Sequence, residues 1–157
     1  MKYISHRGYS RGKFKEINEP DENSVQLIEK RLDEGYDVET DVFMLNGHIF
    51  LGHDYPTYEI SIDFLNNKDN REHIIWHLKN PEALSHFNYY PDKYHFFWHE
   101  DDSYTLSSWG IPIIYPGRAA VKNGLLMKAE YFVLPEISFG IYGICSDYIS
   151  YYKENNV

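Results

Sequence analysis

Three acidic residues at alternate positions, Asp37, Glu39 and Asp41, form the densest chemistry-bearing pattern in the chain. Along an extended strand alternate side chains share a face, so these carboxylates converge while Val38, Thr40 and Val42 point the other way. Clustered carboxylates repel one another unless water, a partner or a cation offsets them. Hard oxygen donors suit Mg²⁺ or Ca²⁺, with Mn²⁺ a further candidate. Standing alone, such a strand reads equally well as a solvated acidic edge. It does not stand alone: Asn46-Gly47 is a strong two-residue hairpin signal, and the returning strand carries His53 and Asp54 back beside the carboxylates. His6 stands where a first strand ends. Imidazoles titrate near neutral pH, so two of them flanking a bound phosphate can serve as general base and general acid. In Ile75-Trp76-His77-Leu78-Lys79 the same alternation puts His77 and Lys79 on one face. His77 adds a metal ligand of softer preference and Lys79 a cation for phosphate, although an ordinary exposed lysine at a strand end has the same spacing.

The elements that must position these groups read as a β/α alternation. Residues 2–6 form a first strand, and a polar loop follows over residues 8–22. Asn23 with Gln26 three positions later resembles a capping box, with Val25, Ile28 and Leu32 on one helical face before Gly35. Residues 36–45 and 48–52 form the two arms of the hairpin. A weak helix over 62–67, a strand over 72–79 and a proline-opened helix over 81–87 come next. Apolar runs at 94–99, 111–115, 131–134 and 144–148 complete a set of about seven or eight strands, enough to close a mostly parallel barrel.

The chain of 157 residues is 43% hydrophobic, enough for one domain over residues 1–157. Its first ten residues, MKYISHRGYS, lack a signal-peptide apolar core and no stretch approaches about 18 apolar residues, so a cytoplasmic protein without stable membrane insertion is expected. The formal charge of −9 disfavours nucleic acid as a partner, because the long-range field repels phosphates. Any phosphate must be held locally. The single cysteine, Cys145, excludes an internal disulfide and reads as a small buried apolar side chain. Nothing in the sequence identifies an oligomer surface.

The segments His6-Arg7-Gly8, Glu22-Asn23-Ser24, Gly35-Tyr36-Asp37-Val38-Glu39-Thr40-Asp41-Val42 and Leu51-Gly52-His53-Asp54, in that order and spacing, resemble the glycerophosphodiester phosphodiesterase family. The likeness is strong over residues 1–54. It is looser beyond, where His77-Leu78-Lys79 is similar to that family's acid-x-lysine strand and Ser146-Asp147-Tyr148 to its closing strand. The resemblance implies a TIM-barrel fold with the site at the C-terminal strand ends, His6 and His53 as the acid/base pair and Arg7 on phosphate. It further implies that Glu39 and Asp41 hold a divalent cation, and that a glycerol-type phosphodiester is cleaved by water or by a hydroxyl of its own. A non-catalytic phosphodiester-binding domain on the same scaffold is the competing reading.

Two departures shape these expectations. His77 stands where the family has an acidic ligand, which removes a negative charge from the cation's shell. An eight-fold barrel also needs about 250 residues, so a shortened (β/α) barrel with reduced helices is expected. The segment after His53-Asp54 is short, favouring a small substrate and an open site. Phe96-Phe97-Trp98-His99-Glu100-Asp101-Asp102 and Tyr115-Pro116-Gly117-Arg118 fall at apparent strand ends, which makes Tyr115 and Arg118 candidate substrate contacts. Aromatic runs of this kind more often fill interiors.

Overall fold

Alternation of polar and apolar residues sets the sheet, and the sheet sets the site. The computed structural model describes residues 1–10, 22–133, 137 and 140–157. Its strands are β1 (Lys2–His6), β2 (Asp37–Leu45), β3 (His48–Leu51), β4 (Tyr58–Ile60), β5 (Ile74–Leu78), β6 (His95–Trp98), β7 (Tyr104–Leu106), β8 (Pro112–Ile114), β9 (Leu125–Met127) and β10 (Gly143–Ser146). The helices are short: α1 (Val25–Asp33), α2 (Ile62–Asn66), α3 (Lys68–His73), α4 (Pro81–Tyr89) and α5 (Ile149–Glu154).

All ten strands belong to one mixed sheet. Parallel pairings run β6-β5-β2-β1-β10-β9-β8, and β3, β4 and β7 are added antiparallel. Val38 and Glu39 pair with both β1 and β5, whereas Val42 pairs with both β3 and β5. One edge of β2 therefore carries β1 along its first half and β3 along its second. That long, shared strand brings the hairpin carrying His53 against the carboxylates. Asn46 and Gly47 both have positive φ, as the tight two-residue turn requires.

The expected shortened TIM-like barrel is not formed. No ladder joins β6 to β8; contact across that gap consists of isolated bonds, such as Ser108 N–H to Phe96 O at 2.7 Å and Thr105 Oγ1 to Trp98 O at 3.1 Å. The β/α alternation also lapses, because β6 to β8 is spanned by the added strand β7 and β8 to β9 by turns. The first connection is taken up by β7 and its turns, and the ten residues between β8 and β9 fall short of the dozen or more that a crossover connection uses. The strand expected over 131–134 is instead a 3₁₀ turn at Ala129–Tyr131 leading into extended chain, with residue 134 outside the described residues. The polar loop expected over 8–22 lies, for residues 11–21, outside them as well.

On one face of the sheet Ile4, Ile75, Phe97, Ile113, Leu125, Met127 and Cys145 form a single apolar cluster. These side chains come from six strands, so the sheet is strongly curved around them. Burial pushes the Cys145 thiol well up, in keeping with an inert core position. On the opposite face Val38, Val42, Trp76 and Leu78 pack with Ile28 of α1 and Phe87 of α4, and Ile114, Leu126 and Ile144 pack with Ile149 and Tyr152 of α5. Asn80 caps α4 through Ala83 N and also clasps the Met44 backbone, tying that helix to β2. Among the described residues no helix is long and apolar enough to cross a membrane.

Beneath the apolar layer, at the N-terminal strand ends, Lys2 and His73 both pair with Asp37. The first member of the carboxylate series is thus engaged away from the other two. Nearby, His95 stacks on Trp109 with ring centroids 4.4 Å apart, its Nε2 2.9 Å from Ser107 Oγ. Burial, reinforced by the Lys2 charge against the opposing pull of Asp37, lowers the His95 pKa to about 4. The native state keeps this imidazole neutral, whereas the unfolded chain takes up a proton below its ordinary value of 6.5. Its contribution is complete above that value and lost as pH falls towards 4. Thermal unfolding across this window should show an acid destabilisation of about 3 kcal/mol that His95→Gln flattens; an unchanged slope in the variant would assign the pH dependence elsewhere.

Candidate metal and phosphate site

Continuing upward from the apolar layer by one side-chain step, the same face presents His6 from β1, Glu39 and Asp41 from β2, and His77 from β5. Lys79, His99 and Tyr115 stand just past the ends of β5, β6 and β8. Parity decides this arrangement: Ile4 precedes His6 by two positions, Ile75 precedes His77, and Phe97 precedes His99. The resulting cavity measures about 680 Å³ and is lined by His6, Arg7, Glu39, His53, His77 and Lys79 among others.

Glu39, Asp41 and His77 are buried and hold one ligand atom each within 4.8 Å of one another, a group that could hold a metal ion. Asp41 Oδ1 and His77 Nδ1 are 2.9 Å apart, and Glu39 Oε1 lies 3.7 Å from the same nitrogen. Adjacent ligands of an octahedral cation at about 2.1 Å stand about 3 Å apart, so the donor set has the right span. Glu39 Oε2 is buried and accepts no hydrogen bond from the described residues, with His6 Nε2 3.9 Å away. An orphaned carboxylate oxygen at 1% residue exposure is costly unless a cation meets it.

Asp41 is the hub. Arg7 Nε lies 3.0 Å and His53 Nδ1 3.2 Å from its Oδ2, and Lys79 Nζ 3.6 Å from its Oδ1. Burial acts to raise this carboxyl, but hydrogen bonds from His53 and His77 and the Arg7 charge outweigh it and hold the group well below the usual carboxylate range. His6 Nδ1 is 2.6 Å from Asp147 Oδ1 at the end of β10. That contact turns Nε2 towards the cavity. For His6 too, burial opposes charge and is overcome, here by the Asp147 hydrogen bond and Glu39, so its pKa is raised.

The backbone explains the HRG sequence. Arg7 and Gly8 both take positive φ, which turns the chain so that Arg7 N–H donates to Glu39 O at 2.8 Å. A side chain on Gly8 would meet Leu27 Cγ at 2.9 Å. Arg7 Nη1 then reaches Glu22 at 3.1 Å and Nη2 stands 3.1 Å from His53 Nε2. Gly52, with φ 150°, lets the chain pass His53 into the site; a Cβ there would collide with Tyr55 O at 2.0 Å.

Asn23 departs from its expected role. The α1 cap is Ser24, which accepts from Leu27 N, whereas Asn23 is fully buried with φ 60°. Its Oδ1 accepts from Thr40 Oγ1 at 2.8 Å and from Asp41 N at 3.0 Å, and its Nδ2 donates to Asp41 Oδ2 at 3.1 Å. Tyr115 lines the cavity, its ring stacked on His99 with centroids 3.5 Å apart, and Trp98 and Glu100 line it too. Arg118 is exposed and does not line it. Sequence reasoning missed Lys128, which lines the cavity, and the role of Asp147 as the His6 partner. Asp147 was legible in principle, being two positions beyond the inward-facing Cys145.

No family model, no curated protein and no solved structure matches this chain.

Proposed function

We propose that this protein is a metal-dependent phosphodiesterase cleaving a small glycerol-type phosphodiester by paired-histidine acid/base chemistry. One observation carries the reading: a buried metal-competent triad lies at a cavity that is also lined by His6, His53 and the cations Arg7, Lys79 and Lys128. The likeness of the first 54 residues to glycerophosphodiester phosphodiesterases supports it, and so does the net charge, which favours a small ligand over a polyanion.

Glu39, Asp41 and His77 would hold the cation. Mn²⁺ suits this mixed oxygen and nitrogen set better than Ca²⁺, which prefers oxygen alone, and Mg²⁺ is the other candidate. Bound there, it supplies charge stabilisation for phosphoryl oxygens. His53 donates its Nδ1 proton to Asp41, so Nε2 keeps a lone pair, to which Arg7 Nη2 donates. When a phosphodiester enters, Arg7 exchanges this contact for a phosphoryl oxygen and leaves Nε2 to take the proton of the attacking water or substrate hydroxyl. His6, braced by Asp147, presents Nε2–H to the departing alkoxide. A new P–O bond forms, the ester P–O bond breaks, and one proton moves at each histidine. Lys79 offsets charge on the phosphate.

The second reading, a phosphodiester-binding domain without turnover, is favoured by His77 in place of an acidic ligand. The test is cleavage of glycerophosphodiesters and of an aryl phosphodiester with Mg²⁺, Ca²⁺, Mn²⁺ or EDTA. Product that needs metal and falls by at least about a hundredfold in His53→Ala supports catalysis. Normal activity in that variant refutes the acid/base assignment, and binding without product under every metal selects the second reading.

A further inference from the structure

Six non-glycine residues among those described have positive φ, and four of them, Asn23, Asn46, Asn123 and Asn156, are asparagine, which tolerates that region. The other two are Arg7 and Lys128, both at φ 53°, and both line the cavity. A lysine in left-handed conformation costs free energy that glycine or asparagine avoids. The two places where the chain accepts this cost are both cationic residues of the cavity lining.

The two cations are not equivalent. Arg7 is engaged by Asp41 and Glu22, and Lys79 lies near Asp41. The Lys128 ammonium has no hydrogen-bond or ion-pair partner among the described residues, in a chain with 24 acidic against 15 basic side chains. It follows β9, which β10 and β1 separate from the metal-competent strands β2 and β5. Next to β9, at the end of β8, Tyr115 Oη is buried without a hydrogen-bond partner among the described residues. This wall thus presents the Lys128 ammonium, unpartnered among the described residues, and the Tyr115 hydroxyl, which also feels the charges of Glu39 and Asp41. Glu100 lines the cavity from the β6 side.

A phosphodiester carries a single negative charge, which the triad's cation, Arg7 and Lys79 already answer. We infer that Lys128, with Tyr115 as neutral donor, forms a second anion subsite, and that the substrate is a phosphodiester whose alcohol portion bears a further anionic group, a carboxylate or a phosphate monoester. The inference rests on the phosphodiester reading for the position of the first anion only.

Calorimetric titration of the full chain with Mn²⁺ tests it, using glycerol 3-phosphate, 3-phosphoglycerate and glycerol 1,3-bisphosphate as probes. Wild type should bind at least one of the two probes that carry a second anionic group about tenfold more tightly than glycerol 3-phosphate, the size of a charged hydrogen bond. Which of them gains identifies carboxylate or phosphate. Lys128→Gly, which suits the left-handed backbone and should fold at least as stably, should remove that preference, and Lys128→Glu should invert it. Equal affinity for all three probes in wild type, no binding of any, or a preference that survives in Lys128→Gly overturns the subsite. A Lys128-dependent preference in a protein that cleaves no diester upholds the subsite and overturns the phosphodiesterase reading alone.

Discussion

Glu39→Gln should abolish divalent-dependent phosphodiester cleavage, by about a thousandfold, and at the same time make the metal-free protein more stable. The two effects share one origin. Glu39 is 1% exposed, and its Oε2 accepts no hydrogen bond from the described residues. A carboxylate held this way without a metal ion carries a desolvation cost that the charges of His6 and Arg7 return only in part, and a neutral carboxamide of the same shape reduces that cost. With metal the order reverses, because a ligand that binds only the native state stabilises it by mass action, and the variant has lost the anionic donor. Thermal melts with and without Mn²⁺ read both effects in one experiment. Wild type should gain in melting temperature on adding metal, and Glu39→Gln should start higher and gain little. A variant that melts lower than wild type without metal, yet keeps the full metal-induced shift, would instead make Glu39 a structural partner of His6 and His77.

The same arrangement shows why the site was more legible than the fold around it. Period-two alternation fixes which side chains of a strand share a face, so Glu39 with Asp41, and His77 with Lys79, followed from spacing alone. The Asn46-Gly47 turn fixed the register that returns His53. Alternation says nothing about which end of the sheet a residue occupies, and Asp37 therefore went to Lys2 and His73 rather than to the metal group. The number of strands predicts closure into a barrel, yet closure depends on connections that hold crossover helices. The segment between β6 and β8 is taken up by β7, and the ten residues between β8 and β9 lack the length for one. Helix α3, with sequence KDNREH, has no apolar period to reveal it; Asn67 caps it by accepting from Asp69 N and Asn70 N. Strands β7 and β9 are three residues each, too short for a pattern, and Lys128 became visible only through its backbone conformation.

Asn23 yields the largest expected change in stability. Truncation in Asn23→Ala strips the acceptor from Thr40 Oγ1 and from Asp41 N, and the donor from Asp41 Oδ2, all at buried positions. Each buried polar group left unsatisfied costs about 1–3 kcal/mol, and alanine at φ 60° adds about 1 kcal/mol more. The total should be roughly 4 kcal/mol in denaturant unfolding, a large share of a small domain's stability. Asn23→Gly relieves the backbone cost but restores no hydrogen bond, so it should recover only about 1 kcal/mol of the loss; full recovery would make strain, and not the side-chain network, the reason for asparagine here. Asn23→Asp separates charge from shape. It keeps Oδ1 for Thr40 and Asp41 N, but it sets a second carboxylate 3.1 Å from Asp41 Oδ2, where the amide now donates. That repulsion should destabilise the metal-free protein and be relieved in part by a divalent cation, because the triad that includes Asp41 is then charge-compensated. An Asn23→Asp protein as stable as wild type without metal would mean that Asp41 is not held by this amide. The constellation would then owe its geometry to Arg7 and the histidines alone.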